Sequence, residues 1–194
     1  MKKSLFLFVL IAGFAFGFSS KSHAQNDGKK NIVKINPLSL ALATGNFSYE
    51  RLLGEKTSFQ MGTLYTSIKW SGNGYAGLGL TPEFRYYFSA QGAGSGFYIA
   101  PYARYWNLNA SVKSDLSDIN EKFTTSMLSG GLNAGGQLKV GNSVRIDLFF
   151  GPQYFNVMST KYESNSNGQN TTAKSGFLGG GMWVRGGVNV GVAF

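Results

Sequence analysis

The chain contains no cysteine, so it can build no disulfide framework and cannot carry the cysteine-anchored lipid of a bacterial lipoprotein. Histidine occurs once, at His23. Charged residues make up only 14% of the sequence, against about 25% in an ordinary soluble domain. Beyond residue 31 no segment shows the three-to-four-residue apolar spacing of an amphipathic helix. Glycine and aromatic residues are plentiful instead, and they are spread through the length of the chain.

The first residues bear on compartment. Met1-Lys2-Lys3 precedes an apolar stretch from Leu5 to Phe18, and small and polar residues follow as far as Ser22-His23-Ala24. A basic start, a short apolar core and small residues at the −3 and −1 positions predict a secretory signal peptide over residues 1–24, removed after Ala24. The apolar run is short for a bilayer-spanning helix of ~20 residues. Processing would remove Lys2, Lys3 and Lys21 from the eighteen basic residues, against nine acidic ones, and the net charge would fall from +9 to +6. It would also remove His23, leaving a chain with neither Cys nor His and therefore without the commonest metal ligand and general base. Residues 25–31 are expected to be an N-terminal segment, and 32–194 the folded domain.

From residue 32 onward apolar residues alternate with small or polar ones, the period of a β-strand. In the last segment Leu178, Gly180, Met182, Val184, Gly186, Val188, Val190, Val192 and Phe194 share one face. Gly179, Gly181, Trp183, Arg185, Gly187, Asn189, Gly191 and Ala193 share the other. Similar alternation predicts strands over Gly77–Phe88, Phe97–Trp106, Leu128–Val140 and Val144–Gln153, with less regular ones over Ile32–Ala43, Asn46–Leu53 and Ser58–Lys69. Short connections (54–57, 90–96, 141–143) alternate with long polar ones at Leu108–Lys122 and Met158–Ser175. Eight strands with tight turns on one side and long loops on the other predict an all-β fold, an eight-stranded antiparallel up-and-down transmembrane β-barrel.

A soluble, lipocalin-like carrier has the same strand count, and the polar face separates the two designs. A soluble exterior is dense in Lys, Glu, Asp and Arg. Here the polar face carries Gly, Ser, Asn, Thr and about one charge per strand, which suits a narrow lumen where ions need partners. The expected lumen charge network is Glu50, Glu83, Arg85, Arg104, Lys139, Arg145, Asp147 and Arg185, joined by the inward aromatics Tyr98, Tyr102, Trp106 and Trp183. Tyr49, Phe59, Tyr65, Phe88, Phe97, Tyr105, Tyr154 and Phe194 lie near strand ends on the apolar face, where aromatic girdles belong.

The alternating Val188, Val190, Val192 and final Phe194 resemble the C-terminal signal that the barrel-assembly machinery reads in outer-membrane proteins. Together with Asn36-Pro37-Leu38 in the first strand and Tyr49-Glu50-Arg51 in the second, they make the chain resemble small outer-membrane β-barrel families of Bacteroidota with unknown function. In shape it is similar to OmpX- and OmpA-type eight-stranded barrels. The resemblance covers residues 25–194 and implies outer-membrane localisation, contact with outer-membrane lipid and lipopolysaccharide, and no catalytic residues.

Chemistry is sparse. Small outer-membrane hydrolases and acyltransferases depend on a histidine base, which processing would remove. Glu83 and Asp147 lie beside Arg85 and Arg145, as salt-bridge partners do. Gly130-Gly131 and Gly179-Gly180-Gly181 precede no helix and carry no Lys-Ser/Thr, so they are not phosphate loops. The cations are dispersed, which argues against nucleic acid. No metal, cofactor or enzymatic activity is expected. Lys113, Lys122, Lys161 and Lys174 sit in or beside the long loops, where they would meet lipopolysaccharide phosphates. The expected function is a structural or surface-interaction role through external loops; a narrow pore for ions or small solutes and a soluble periplasmic carrier are the alternatives.

Overall fold

The computed structural model describes residues 28–41, 43–70, 73–113, 120–166 and 169–194, so the expected signal peptide lies outside the described residues. Eight strands and one short helix follow in order: β1 (Asn31–Ile35), α1 (Pro37–Ala41), β2 (Thr44–Leu52), β3 (Thr57–Trp70), β4 (Asn73–Tyr87), β5 (Gly96–Lys113), β6 (Asn120–Val140), β7 (Val144–Ser166) and β8 (Gln169–Ala193). Each strand pairs antiparallel with the next, and β1 closes on β8, giving a barrel with sequential neighbours. The expected all-β, eight-stranded fold is what the structure shows.

Register fixes the barrel's shape. From Ile35 the cross-strand partners run through Phe47, Thr63, Leu80, Tyr105, Leu128 and Asn156 to Gly180. Ile35 itself pairs across the seam with Val190, so one circuit displaces the register by ten residues, the difference between positions 190 and 180. With ~3.3 Å per residue and ~4.8 Å between strands, that stagger implies a tilt of roughly 40° and a backbone radius of roughly 8 Å. A cylinder that narrow is filled by its own side chains.

Burial follows the alternation. In β4 every second residue from Gly77 to Tyr87 is buried, while Leu78, Phe84 and Tyr86 are exposed. Inward glycines make room for inward rings. A Cβ on Gly135 would lie 2.4 Å from the Tyr98 ring, which crosses it inside the barrel. The apolar part of the interior sits low, near the chain termini: Ile32, Leu52, Tyr87, Ala93, Tyr98, Ala100, Phe149 and Ala193 form its core. The β4–β5 turn folds up into this end. Ala93, Gly94 and Ser95 are buried, Ala93 N–H donates to the Glu55 carbonyl at 2.6 Å, and Gly94 takes a left-handed φ of 84°.

Two sequence expectations need correction. The first strand does not run from Ile32 to Ala43: β1 stops at Ile35. Pro37 has no N–H for a ladder and fits the first turn of a helix, and Asn36 caps that helix by accepting the Ser39 N–H at 3.0 Å. The segments Leu108–Lys122 and Met158–Ser175 are mostly strand: β5 runs on to Lys113, β6 starts at Asn120, β7 reaches Ser166 and β8 starts at Gln169. Apolar alternation marks a strand only where one face is covered by apolar surroundings. These hairpins rise beyond the apolar belt, where polar residues take most positions on both faces and the period weakens.

Strand length climbs round the ring, from 5 residues in β1 and 9 in β2 to 23 in β7 and 25 in β8. The rim is therefore sloped, and where the tallest strand meets the shortest the wall has a notch. β1 holds β8 only at Val190–Ala193, so among the described residues Gln169–Asn189 pairs with β7 alone. α1 packs across this gap, against β2 and β8.

Candidate functional site

The lower lumen is an ionic cluster built from facing strands. Lys34 of β1 places Nζ 2.6 Å from Glu50 Oε2 and 2.9 Å from Asp147 Oδ2. Arg85 of β4 reaches Asp147 through Nη1 at 2.8 Å and Glu83 through Nε at 2.7 Å, with Glu50 at 3.7 Å. Arg185 of β8 donates to Glu83 Oε2 at 2.9 Å. Three cations thus meet three carboxylates, and all but Arg185 are essentially inaccessible to solvent.

Neutral donors complete the carboxylates. Tyr87 donates to Glu50 at 2.6 Å and Tyr98 to Asp147 at 2.7 Å, while Ser58 also donates to Glu50. Asn133 donates to Glu83 at 3.0 Å. Gln137 accepts from Lys34 at 2.7 Å and donates to the Gly94 carbonyl at 3.1 Å, tying the cluster to the inward turn. Charges in so dry a site persist only when paired and hydrogen-bonded. The arrangement satisfies both conditions.

The expected charge network is partly corrected. Glu50, Glu83, Arg85, Asp147 and Arg185 come together as anticipated. Lys139 does not join them: it lies exposed near the β6–β7 turn. Arg145 is buried close to that turn, where its Nη1 donates to the Val144 carbonyl at 3.1 Å. Arg104 lies higher in the lumen. Sequence reasoning misses Lys34 because Asn36-Pro37 obscures the strand; the alternation of Val33 and Ile35 against Ile32 and Lys34 is the available signal.

Above the cluster the lumen widens into a cavity of about 410 Å³. Arg104 and Arg185 form its floor, Trp106, Leu64 and Ile68 its sides, and Asn36 and Leu38 the side nearest the notch. Arg104 is 9% exposed, and its Nε donates to Thr81 Oγ1 at 2.9 Å. No carboxylate among the described residues lies within ion-pair distance of it. Of the inward aromatics, Tyr98, Tyr102 and Trp106 are wholly or partly buried, but Trp183 is 68% exposed. It stands on β8 beside the notch, where no β1 residue covers it.

The external lysines also need correction. Lys113, Lys122, Lys161 and Lys174 belong to strands β5, β6, β7 and β8, in the hairpin extensions rather than in loops. Lys122 is exposed, and Lys161 donates to Glu163, whose pKa this contact holds below the usual carboxylate value. The Phe123 and Tyr162 rings meet between these hairpins at a tilt, centroids 4.8 Å apart, and the Tyr162 hydroxyl donates to Glu121 at 2.8 Å. At the other end Val190, Val192 and Phe194 are exposed on the outer face, Val188 is half-buried, and Phe194 exchanges backbone hydrogen bonds with Asn31. Among the described residues no cluster of side chains has the composition of a metal site.

A family model described as "Protein of unknown function (DUF3575)" matches residues 8–180. The chain belongs to this family. No curated protein matches it. Among solved structures it is similar to a major outer membrane protein from Thermus thermophilus, with a TM-score of 0.60, 10% identity, and coverage of 84% of this chain and 99% of the other. At that identity the likeness concerns the fold. The translocator domain of autotransporter NalP from Neisseria meningitidis is matched with a TM-score of 0.46 and 10% identity, over 99% of this chain and 97% of the other.

Proposed function

We propose that this DUF3575 protein is an outer-membrane barrel with a sealed lumen, acting through its external hairpins as a structural or surface-interaction protein and not as an enzyme. The observation that carries this reading is the outer surface. Val144, Leu148, Phe150 and Tyr154 on β7 are exposed without a polar residue between them on that face, and Pro152 continues it. Ten residue steps at a tilt of roughly 40° span roughly 25 Å, the height of the apolar band on outer-membrane barrels. Leu78 and Phe84 on β4, Phe97 and Tyr105 on β5, and Leu128, Leu132 and Leu138 on β6 extend it round the ring. So much exposed apolar surface is unstable in water and suited to lipid.

Tyr65, Tyr105 and Tyr154 would mark the upper border of this belt, and Phe88, Phe97 and Phe194 the lower, as aromatic girdles do. The seal disfavours a pore, and the apolar exterior disfavours a soluble carrier. The barrel-assembly machinery would read the Val188–Phe194 strand, and Lys122 would face lipopolysaccharide phosphates.

The test is to separate inner from outer membrane and run the outer fraction on a detergent gel, unboiled and boiled. A band in the outer fraction that shifts on boiling is expected. A soluble periplasmic band with no shift would overturn the proposal.

A further inference from the structure

We infer that the upper lumen binds one anionic single-chain amphiphile, its headgroup on Arg104 and Arg185 and its chain among Leu64, Ile68 and Trp106, admitted through the notch beside β8. Charge balance on the cavity floor calls for an anion. Arg104 is buried, donates one hydrogen bond from Nε and has no carboxylate within reach among the described residues. Every other buried cation of the ionic cluster is paired with at least one carboxylate. Arg185 on the same floor spends one contact on Glu83 and stacks over Tyr102 and Phe149 at 4.5 and 4.8 Å. Two guanidinium groups facing one cavity repel each other until an anion lies between them. The planar guanidinium suits carboxylate or phosphate.

The lining above that floor calls for a hydrocarbon. Leu64, Ile68 and the rings of Trp106 and Tyr75 supply apolar surface, while the Trp106 Nε1, buried and without a hydrogen-bond partner among the described residues, is a donor left for a headgroup oxygen. A volume of about 410 Å³ lies within the usual range of ligand pockets, about 300–1,000 Å³. A small inorganic anion would satisfy the arginines and leave these walls uncovered.

Access is lateral. The stretch of β8 that lacks a β1 partner begins at Asn189, within the level of the apolar belt, because Val184 and Met182 above it are still exposed on the outer face. Met182, Trp183 and Val184 are consecutive and each more than half exposed, so neither face of β8 is covered there. Gly186 and Gly187 border the cavity at the same place, and α1 lies across the gap with only one turn of helix, Leu38 and Leu40 exposed on it. The notch therefore joins the cavity to the lipid side of the wall, which suits a membrane-borne ligand.

The experiment uses the full chain, after any natural processing, in nanodiscs of zwitterionic lipid, with Trp70→Phe and Trp183→Phe leaving Trp106 as the sole reporter. A dibrominated stearate should quench Trp106 saturably. Laurate should reverse the quenching, and dodecanol and inorganic phosphate should not. Arg104→Gln should weaken the saturable component about ten-fold or more, as loss of a charge-assisted contact does. Leu64→Phe, which narrows the cavity and keeps both arginines, should weaken it too. The heat-modified band certifies that each variant is folded, and Leu64→Phe decides the matter if Arg104→Gln is not. Quenching that rises linearly and equally in all variants means partition into the bilayer and overturns the inference. Competition by inorganic phosphate as strong as by laurate overturns it as well, by assigning a small-anion site.

Discussion

Lys34 is the residue on which the lumen depends most directly. It bridges Glu50 and Asp147, two buried carboxylates on different strands, and nothing else on β1 is charged within the barrel. Replacing Lys34 by Met keeps the stem and removes the ammonium, leaving two anions short of a partner, a defect of about 3–5 kcal/mol. We expect the compact band of Lys34→Met to be lost at a lower temperature than that of the native chain when gel samples are heated in steps. Lys139→Ala should move that temperature hardly at all, within about 0.5 kcal/mol of equivalent stability, because Lys139 is exposed. If the two variants behave alike, the cluster does not hold the barrel together. Glu50, Glu83, Arg85, Asp147 and Arg185 were legible in the sequence because each falls on the polar face of an alternating strand. Lys34 stayed hidden beside a proline. Arg104 could not be separated from the cluster, since height along the axis is set by the ten-residue stagger rather than by chemistry.

At the scale of elements, the long hairpins and the inward turn have separable roles. Ser111 and Lys122 are cross-strand partners, so a two-residue Asn-Gly turn can join them and delete Val112–Glu121 without disturbing the ladder below. This trimmed chain should still give a heat-modifiable band while losing whatever surface interaction the hairpins mediate, read as adhesion of cells to a panel of surfaces. Unchanged adhesion would count against the surface-interaction role. The turn at the opposite end should be less forgiving. Gly94 adopts φ 84°, and its carbonyl accepts from Gln137. Gly94→Val forces a β-branched residue into the left-handed region, at about 1–2 kcal/mol or more, and should loosen the plug. Strands β4 to β8 were readable from their apolar period, within the belt. Their extensions were not, because a strand wet on both faces looks like a loop in sequence.

For the whole molecule, the decisive property is the buried, paired charge that occupies the lower lumen. Purified protein in planar bilayers should show no sustained conductance. Arg85→Ala removes the guanidinium that contacts three carboxylates, and it should produce irregular openings if the barrel still closes. A steady native conductance would instead favour the narrow-pore alternative. That the chain forms a closed ring of eight was legible from strand count and connection lengths. The slope of its rim was not, since strand length beyond the belt leaves no periodic trace.

The seam between β1 and β8 carries a kinetic consequence. It joins the two extremes of the folded chain, with Asn31 and Phe194 in contact at a separation of 163 residues. Contacts so distant form late, after the entropy of closing the intervening chain has been met. Until β1 arrives, Glu50, Glu83 and Asp147 have only Arg85 and Arg185 as ion-pair partners among the described residues, and the cluster holds one uncompensated negative charge. Lys34 brings the missing charge as it docks, so the last step of assembly is also the step that neutralises the cluster. In refolding from urea into lipid vesicles, Lys34→Met should accumulate a nearly complete, unsealed sheet that converts slowly to the compact form.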